Sequence, residues 1–218
     1  MKSTEYLWIT RRVITIKIGV DIDNVVYSTT QAVLDVHYKN TGERLYLSDI
    51  KTYCIEDYVS EKYKKDFHKI FLDKRVWKRV ELLPNCVKTI KHLHDMGHEI
   101  YFVTATETAN VHKKFRFLCR TFPFIDVRKR LITTQCKQMI KLDVLIDDCV
   151  DNLVGGDYYG ILFSYPWNTN FKNDKTIERV DNWSEVPDAV RYFPDRYSTQ
   201  KFVTPILNPK KPFFRRYL

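Results

Sequence analysis

Ile16-Lys17-Ile18-Gly19-Val20-Asp21-Ile22-Asp23-Asn24-Val25-Val26 is the stretch from which the rest of the chain is read. The β-branched run is that of a buried strand, and two carboxylates arrive where the strand gives way to a loop. Acids at i and i+2 point to one side of an extended backbone, a poor core and a good metal or phosphoryl-transfer site. The alternative is a strand-end turn in which Asp and Asn cap backbone amides. Val144-Leu145-Ile146-Asp147-Asp148 repeats the pattern, and Tyr101-Phe102-Val103-Thr104-Ala105-Thr106 is a third strand, ending in hydroxyls. Lys137 follows the short strand Leu131-Ile132-Thr133. If these strands are parallel neighbours, one sheet edge collects four carboxylates, a threonine and a lysine. Like charges in one pocket raise each other's pKa and call for a divalent cation, and an all-oxygen ligand set favours Mg²⁺ over zinc.

Asp21-Ile22-Asp23-Asn24-Val25, Thr104, Lys137 and Asp147-Asp148 stand in the order of the four motifs of the haloacid dehalogenase superfamily, which the chain resembles from Lys17 to roughly Asn168. Within that superfamily the Lys137-to-Asp147 spacing, the Leu-Ile-Asp-Asp run, Leu83-Pro84 and Pro166-Trp167-Asn168 are similar to the 5′(3′)-deoxyribonucleotidase family, in its bacterial and phage form. The chain departs at Asn24, where many relatives have Gly. Asn tolerates a left-handed turn, so the loop is expected to survive. Ala105 stands where eukaryotic relatives have Ser, leaving Thr104 as the main side-chain donor there.

The resemblance implies an α/β fold: a Rossmann-like three-layer α/β/α parallel sheet, with a small, mainly helical type-one cap inserted after the first strand. It implies Asp21 as the nucleophile that forms an aspartyl-phosphate and Asp23 as general acid and base, kept neutral near pH 7 by its neighbours. Mg²⁺ is expected on Asp21, the backbone carbonyl of Asp23 and Asp148. Thr104, Ala105 and Lys137 are expected to hold the phosphoryl group, and Asp147 to support Lys137. Trp77, and the other aromatics of the insert, are candidates to stack on a nucleobase. Tyr63, Phe67 and Phe71, at helical spacing, read as the cap's own core.

The expected organisation is a discontinuous core of residues 1–28 and 81–193, a cap of residues 29–80 and a basic tail of residues 194–218. Helices are expected over Thr29–Lys39, with Gly42 to end the first, from Ser60, from Pro84 to Met96, over Glu107–Arg120 and over Glu185–Tyr192. Strand–helix alternation argues for a parallel sheet. The 218 residues carry 36 basic and 27 acidic side chains, a formal charge of +9. That surplus suits phosphate-bearing ligands, while the tail Asn208–Leu218 reads as a solvated charge run and nucleic acid is not the expected partner. Five scattered cysteines without Cys-x-x-Cys spacing suit a reducing cytoplasm. No secretory signal or membrane-length segment is read, so the expected location is cytoplasmic. The six histidines read as surface residues, without zinc-ligand spacing.

The resulting expectation is a Mg²⁺-dependent phosphomonoesterase acting on deoxyribonucleoside monophosphates. Two alternatives remain: a phosphatase of the same mechanism acting on a sugar phosphate, or a non-catalytic module that binds nucleic acid or protein. Base and sugar preference, the choice between 5′ and 3′ phosphates and the oligomeric state are not encoded in the motifs.

Overall fold

A computed structural model describes residues 15–172, 175–191 and 193. In chain order the elements are β1 (Lys17–Val20), α1 (Thr29–Thr41), α2 (Glu61–Phe67), α3 (Lys74–Trp77), α4 (Cys86–Asp95), β2 (Glu99–Thr104), α5 (Thr108–Thr121), α6 (Val127–Arg130), β3 (Leu131–Thr133), β4 (Val144–Asp147), α7 (Val150–Leu153), β5 (Tyr159–Phe163), β6 (Ile177–Val180) and α8 (Val186–Arg191). The strands form one six-stranded sheet in the order β3-β2-β1-β4-β5-β6, every pair parallel.

Alternation along the strands feeds two apolar layers. Ile18, Val20, Ile100, Phe102, Val144, Ile146, Ile161 and Phe163 face one side, where α4, α5 and α8 contribute Ile90, Leu93, Leu118, Val186 and Val190. Val103, Leu145 and Leu162 face the other, against Leu142, Tyr158 and Leu153 of α7. This is the three-layer α/β/α arrangement. Gly19 is required by close approach, since a Cβ there would lie 2.4 Å from Leu142 Cδ1.

A separate apolar cluster joins Ala32, Val33 and Val36 of α1 to Ile50, Ile55, Phe67, Ile70 and Val76, all between β1 and α4 in sequence. Tyr63 and Phe71 pack against it. α1 ends on Gly42, whose φ of 74° is left-handed and whose N–H bonds the Tyr38 carbonyl.

Three expectations are corrected. α4 begins at Cys86 rather than Pro84, because Asn85 occupies the N-cap at φ 64° and is tied to Ser184. β6 went unread, because Ile177-Glu178-Arg179-Val180 offers only two apolar side chains and sits at the sheet edge. Two histidines are buried rather than exposed: His37, paired with Glu43 at 2.6 Å and packed edge-on to Tyr63 and Phe67, and His98, where the chain turns from α4 into β2. The tail of residues 194–218 lies outside the described residues.

Candidate active site

The strand order sets where the site forms. From β1 the chain runs outward through β2 to β3, then crosses back to lay β4 on the opposite side of β1. A crevice opens at such a switch point, outside the carboxyl ends of the strands. Val20 of β1 lies level with Phe102 of β2 and with Ile146 of β4, so the residues just beyond these positions converge. They are Asp21 and Asp23, Thr104, and Asp147 and Asp148. The Asp21 N–H bonds the Ile146 carbonyl at 2.9 Å, fixing the first acid against the second pair.

Beyond β1 the backbone turns sharply. Asn24 adopts φ 59°, the left-handed conformation expected of it. Its amide serves both sides of the turn: Oδ1 accepts from the Thr30 N–H at 2.9 Å, and Nδ2 donates to Asp148 Oδ2 at 3.1 Å. The indole N–H of Trp183 donates to the Val25 carbonyl at 2.7 Å and anchors the same loop to the core.

The connector leaving β3 delivers Lys137 to the crevice, where it is 1 % exposed. Its ammonium donates to Asp21 Oδ1 and, at 2.7 Å, to Asp147 Oδ2. Asp147 also accepts from the Cys149 N–H at 2.9 Å and from Asn152 Nδ2 at 3.1 Å, so both its oxygens are engaged. Asp148 differs, because its Oδ1 is buried with no partner. A buried carboxylate oxygen left over in this way is an acceptor that a metal ion can satisfy.

Electrostatics follow from burial. Desolvation pushes Asp21 up to about 7, Lys137 pulling down while Asp147 and Asp23 add to the rise. Burial, with Asp147 and Asp21, raises Asp148 as well. For Lys137, burial disfavours the charge, but the carboxylates of Asp147 and Asp21 outweigh it and hold the ammonium protonated. Asp21, Asp147 and Asp148 offer oxygens that all lie within 4.8 Å of one another. An all-oxygen set with one free lone-pair acceptor fits a hard divalent cation such as Mg²⁺. Since Asp147 is saturated, Asp21 and Asp148 have the freer ligand atoms.

Asp23 is half-buried and is held by donors on both oxygens: Thr29 Oγ1 donates to Oδ1 at 2.6 Å, and the ammonium of Lys114 donates to Oδ2. Lys114 also donates to Thr104 Oγ1 at 2.7 Å. At 2 % exposure it is a second buried lysine that the sequence reading missed, since it sits inside α5 among exposed basic residues. Asp23 was expected as general acid and base, and these contacts fix where its carboxyl sits.

Ala105 is exposed beside Thr104 and offers no side-chain donor. Trp77 is half-buried, edge-on to Tyr27 with ring centroids 5.8 Å apart, and its Nε1 donates to Asn110 Oδ1 at 3.3 Å. Trp167, missed as a site neighbour, stacks on Tyr165 at 4.4 Å, donates to the Asp148 carbonyl at 3.3 Å and packs against the cluster between β1 and α4. Tyr53, in that same insert, is 57 % exposed, yet burial of its hydroxyl end and the charges of Asp148, Cys149 and Asp21 raise its pKa. Among the described residues no helix is long and apolar enough to cross a membrane.

Comparison with known proteins agrees with this geometry. The family model "5′ nucleotidase, deoxy (pyrimidine), cytosolic type C protein" matches residues 14–193. A 5′(3′)-deoxyribonucleotidase of Clostridium acetobutylicum is 26 % identical over 168 residues, 77 % of this chain and 91 % of that protein. One from Bacillus subtilis is 27 % identical over 173 residues, 78 % and 95 % of the two chains. Among solved structures, a haloacid dehalogenase-like hydrolase from Bacillus subtilis, described as bound to magnesium, is similar with a TM-score of 0.55 at 12 % identity, covering 81 % of this chain and 99 % of that one. The chain belongs to the cytosolic type C deoxyribonucleotidase family, phosphoric monoester hydrolases of the haloacid dehalogenase fold.

Proposed function

We propose that this protein is a Mg²⁺-dependent phosphomonoesterase that hydrolyses deoxyribonucleoside monophosphates through a phosphorylated Asp21. The observation that carries the proposal is the bridge from Lys137 to Asp21 and Asp147, next to the free oxygen of Asp148. It pairs a buried nucleophile with a cation for the phosphoryl oxygens and leaves one ligand position open.

Asp21 and Asp148, with the Asp23 carbonyl, would hold the metal, which supplies charge neutralisation for the phosphoryl oxygens when bound. An Asp21 oxygen attacks phosphorus as the ester bond breaks, and Asp23 gives its proton to the departing oxygen. The Asp23 carboxylate then takes a proton from the water that attacks the aspartyl-phosphate, which releases phosphate and restores Asp21. Thr104 and Lys137 hold the phosphoryl oxygens throughout. Asp147, saturated by Lys137, Asn152 and the Cys149 amide, acts by fixing the Lys137 ammonium. Residues 29–80 serve as the cap that excludes water, with Trp77, Tyr53 and Trp167 as candidates for contact with the nucleoside. The location we propose is cytoplasmic.

The test is phosphate release from deoxy- and ribonucleoside monophosphates and from sugar phosphates, with Mg²⁺ or EDTA. Metal-dependent release from deoxynucleotides, reduced at least about 10³-fold in Asp21→Asn, is the expected result. Release from sugar phosphates alone would keep the mechanism and discard the substrate.

A further inference from the structure

Asn168 is 3 % exposed, and no step of the mechanism above uses it. Its amide is saturated. Nδ2 donates to the Asp148 carbonyl at 2.9 Å and to the Phe163 carbonyl at 2.7 Å, while Oδ1 accepts from the Tyr165 N–H at 3.1 Å and from Arg179 Nη1 at 2.7 Å. Two donors and two lone pairs are all that a side-chain amide has. The bonds to Tyr165 and Phe163 close a local turn after β5, and a turn needs no more than that. The bond to Asp148 spans 20 residues and ties the turn to the end of β4. Arg179 then fastens the same loop to the edge strand β6, its Nη2 donating to the carbonyls of Asn168 and Phe171, each at 2.9 Å.

Asp148 is thereby held at both ends. Its carbonyl accepts from Asn168 and, at 3.3 Å, from Trp167 Nε1, and its Oδ2 accepts from Asn24. With the backbone and one carboxylate oxygen fixed, the side-chain torsions between them have little freedom. Oδ1, the oxygen without a partner, keeps one direction. We propose that Asn168 is a positioning residue for Asp148 as a metal ligand, and that Arg179 acts through Asn168 by fixing its amide. The inference rests on the phosphomonoesterase reading, which places the cation on Asp21 and Asp148. Partners of a ligand raise metal affinity by orienting it beforehand. Mg²⁺ accepts little departure from octahedral geometry, whereas Ca²⁺ takes a larger and more flexible shell. A carboxylate oxygen held in one direction favours Mg²⁺ over Ca²⁺, and a loosened one surrenders that preference.

The experiment measures binding of Mg²⁺ and of Ca²⁺ to the metal-free protein by calorimetry. Thermal unfolding in EDTA and Mg²⁺-dependent turnover of a deoxynucleoside monophosphate are followed beside it. The variants are Arg179→Met, Arg179→Lys and Asn168→Ala, each assayed below its own unfolding transition. Arg179→Met and Asn168→Ala are expected to raise the Mg²⁺ dissociation constant at least about tenfold and that of Ca²⁺ by less. Arg179→Lys keeps a donor for the Asn168 oxygen and recovers part of the preference. A role in the turn alone would lower the melting temperature in EDTA and leave both dissociation constants of the folded protein as they were. That result in Arg179→Met overturns the inference, whether or not Asn168→Ala folds, and so does an equal weakening of both ions. In either case turnover by the parent leaves the phosphatase reading standing. A parent that neither binds Mg²⁺ nor releases phosphate overturns both.

Discussion

Asn24 occupies a backbone position that needs φ > 0, where glycine is the least strained residue, and it does two further things there that glycine cannot. Its amide holds the Thr30 N–H at the start of α1 and one oxygen of Asp148, so a turn residue is also an outer-shell support for a proposed metal ligand. Outer partners of this kind are worth roughly 10–100-fold in metal affinity. Asn24→Gly is therefore expected to fold, to preserve the turn, and to raise the Mg²⁺ concentration needed for half-maximal turnover by about tenfold or more. A Mg²⁺ titration of activity checks this, and an unchanged midpoint would mean that Asp148 holds its geometry without Asn24.

At the scale of elements, the cluster built from α1, α2 and α3 has its own buried residues, distinct from both layers of the sheet. Phe67, 3 % exposed, is the largest buried side chain in it. Phe67→Ala is expected to cost about 3 kcal/mol or more locally. Amide exchange should then accelerate in α1 and α2 well before it does in β1, β2 and β4. Equal acceleration throughout would show that insert and sheet unfold as one unit. The inner strands β4 and β5 were legible because burial on both faces demands unbroken apolar runs, and they begin and end where those runs do. β6 was not legible, because an edge strand half covered by solvent needs no such run. Asp21, Thr104, Lys137 and Asp147 could be read because each stands at a strand end or in a connector with a fixed neighbour. Lys114 could not, since in sequence a buried lysine within a basic helix looks like its less buried neighbours Lys113 and Arg116. His37 was misread because its partner, Glu43, lies across the left-handed turn at Gly42.

For the whole molecule, the acid cluster makes stability depend on pH in a definite direction. Asp21 titrates near 7 in the metal-free fold, against an ordinary value of 3.8, and burial raises Asp148 in the same sense. Between those values the folded chain holds protons that the unfolded chain releases. The stabilisation is complete below the unfolded value and is lost as pH rises through the folded one. The metal-free protein should thus melt at a lower temperature at pH 7.5 than at pH 5, by several degrees, on the order expected for a few kcal/mol in a domain of this size. Saturating Mg²⁺ should remove most of that difference, because a bound cation takes over the role of the protons. Thermal unfolding with EDTA and with Mg²⁺ across that range tests it, and a metal-free melting temperature that rises with pH would contradict the burial of these acids.

The two buried lysines have a consequence for how substrate is chosen. Asp21, Asp23, Asp147 and Asp148 carry four formal negative charges, and Lys114 and Lys137 return two. With Asp23 protonated, as the proposed acid must be at the start, a bound divalent cation would leave the pocket about one positive charge to set against a phosphate dianion. On the proposed mechanism net charge would then give little discrimination among phosphate esters, which all carry the same dianion to the cation, Lys137 and Thr104. What separates one ester from another would be contact with the nucleoside, for which Trp77, Tyr53 and Trp167 are the aromatic candidates. An enzyme arranged in this way would discriminate less by the phosphate than by what the phosphate is attached to.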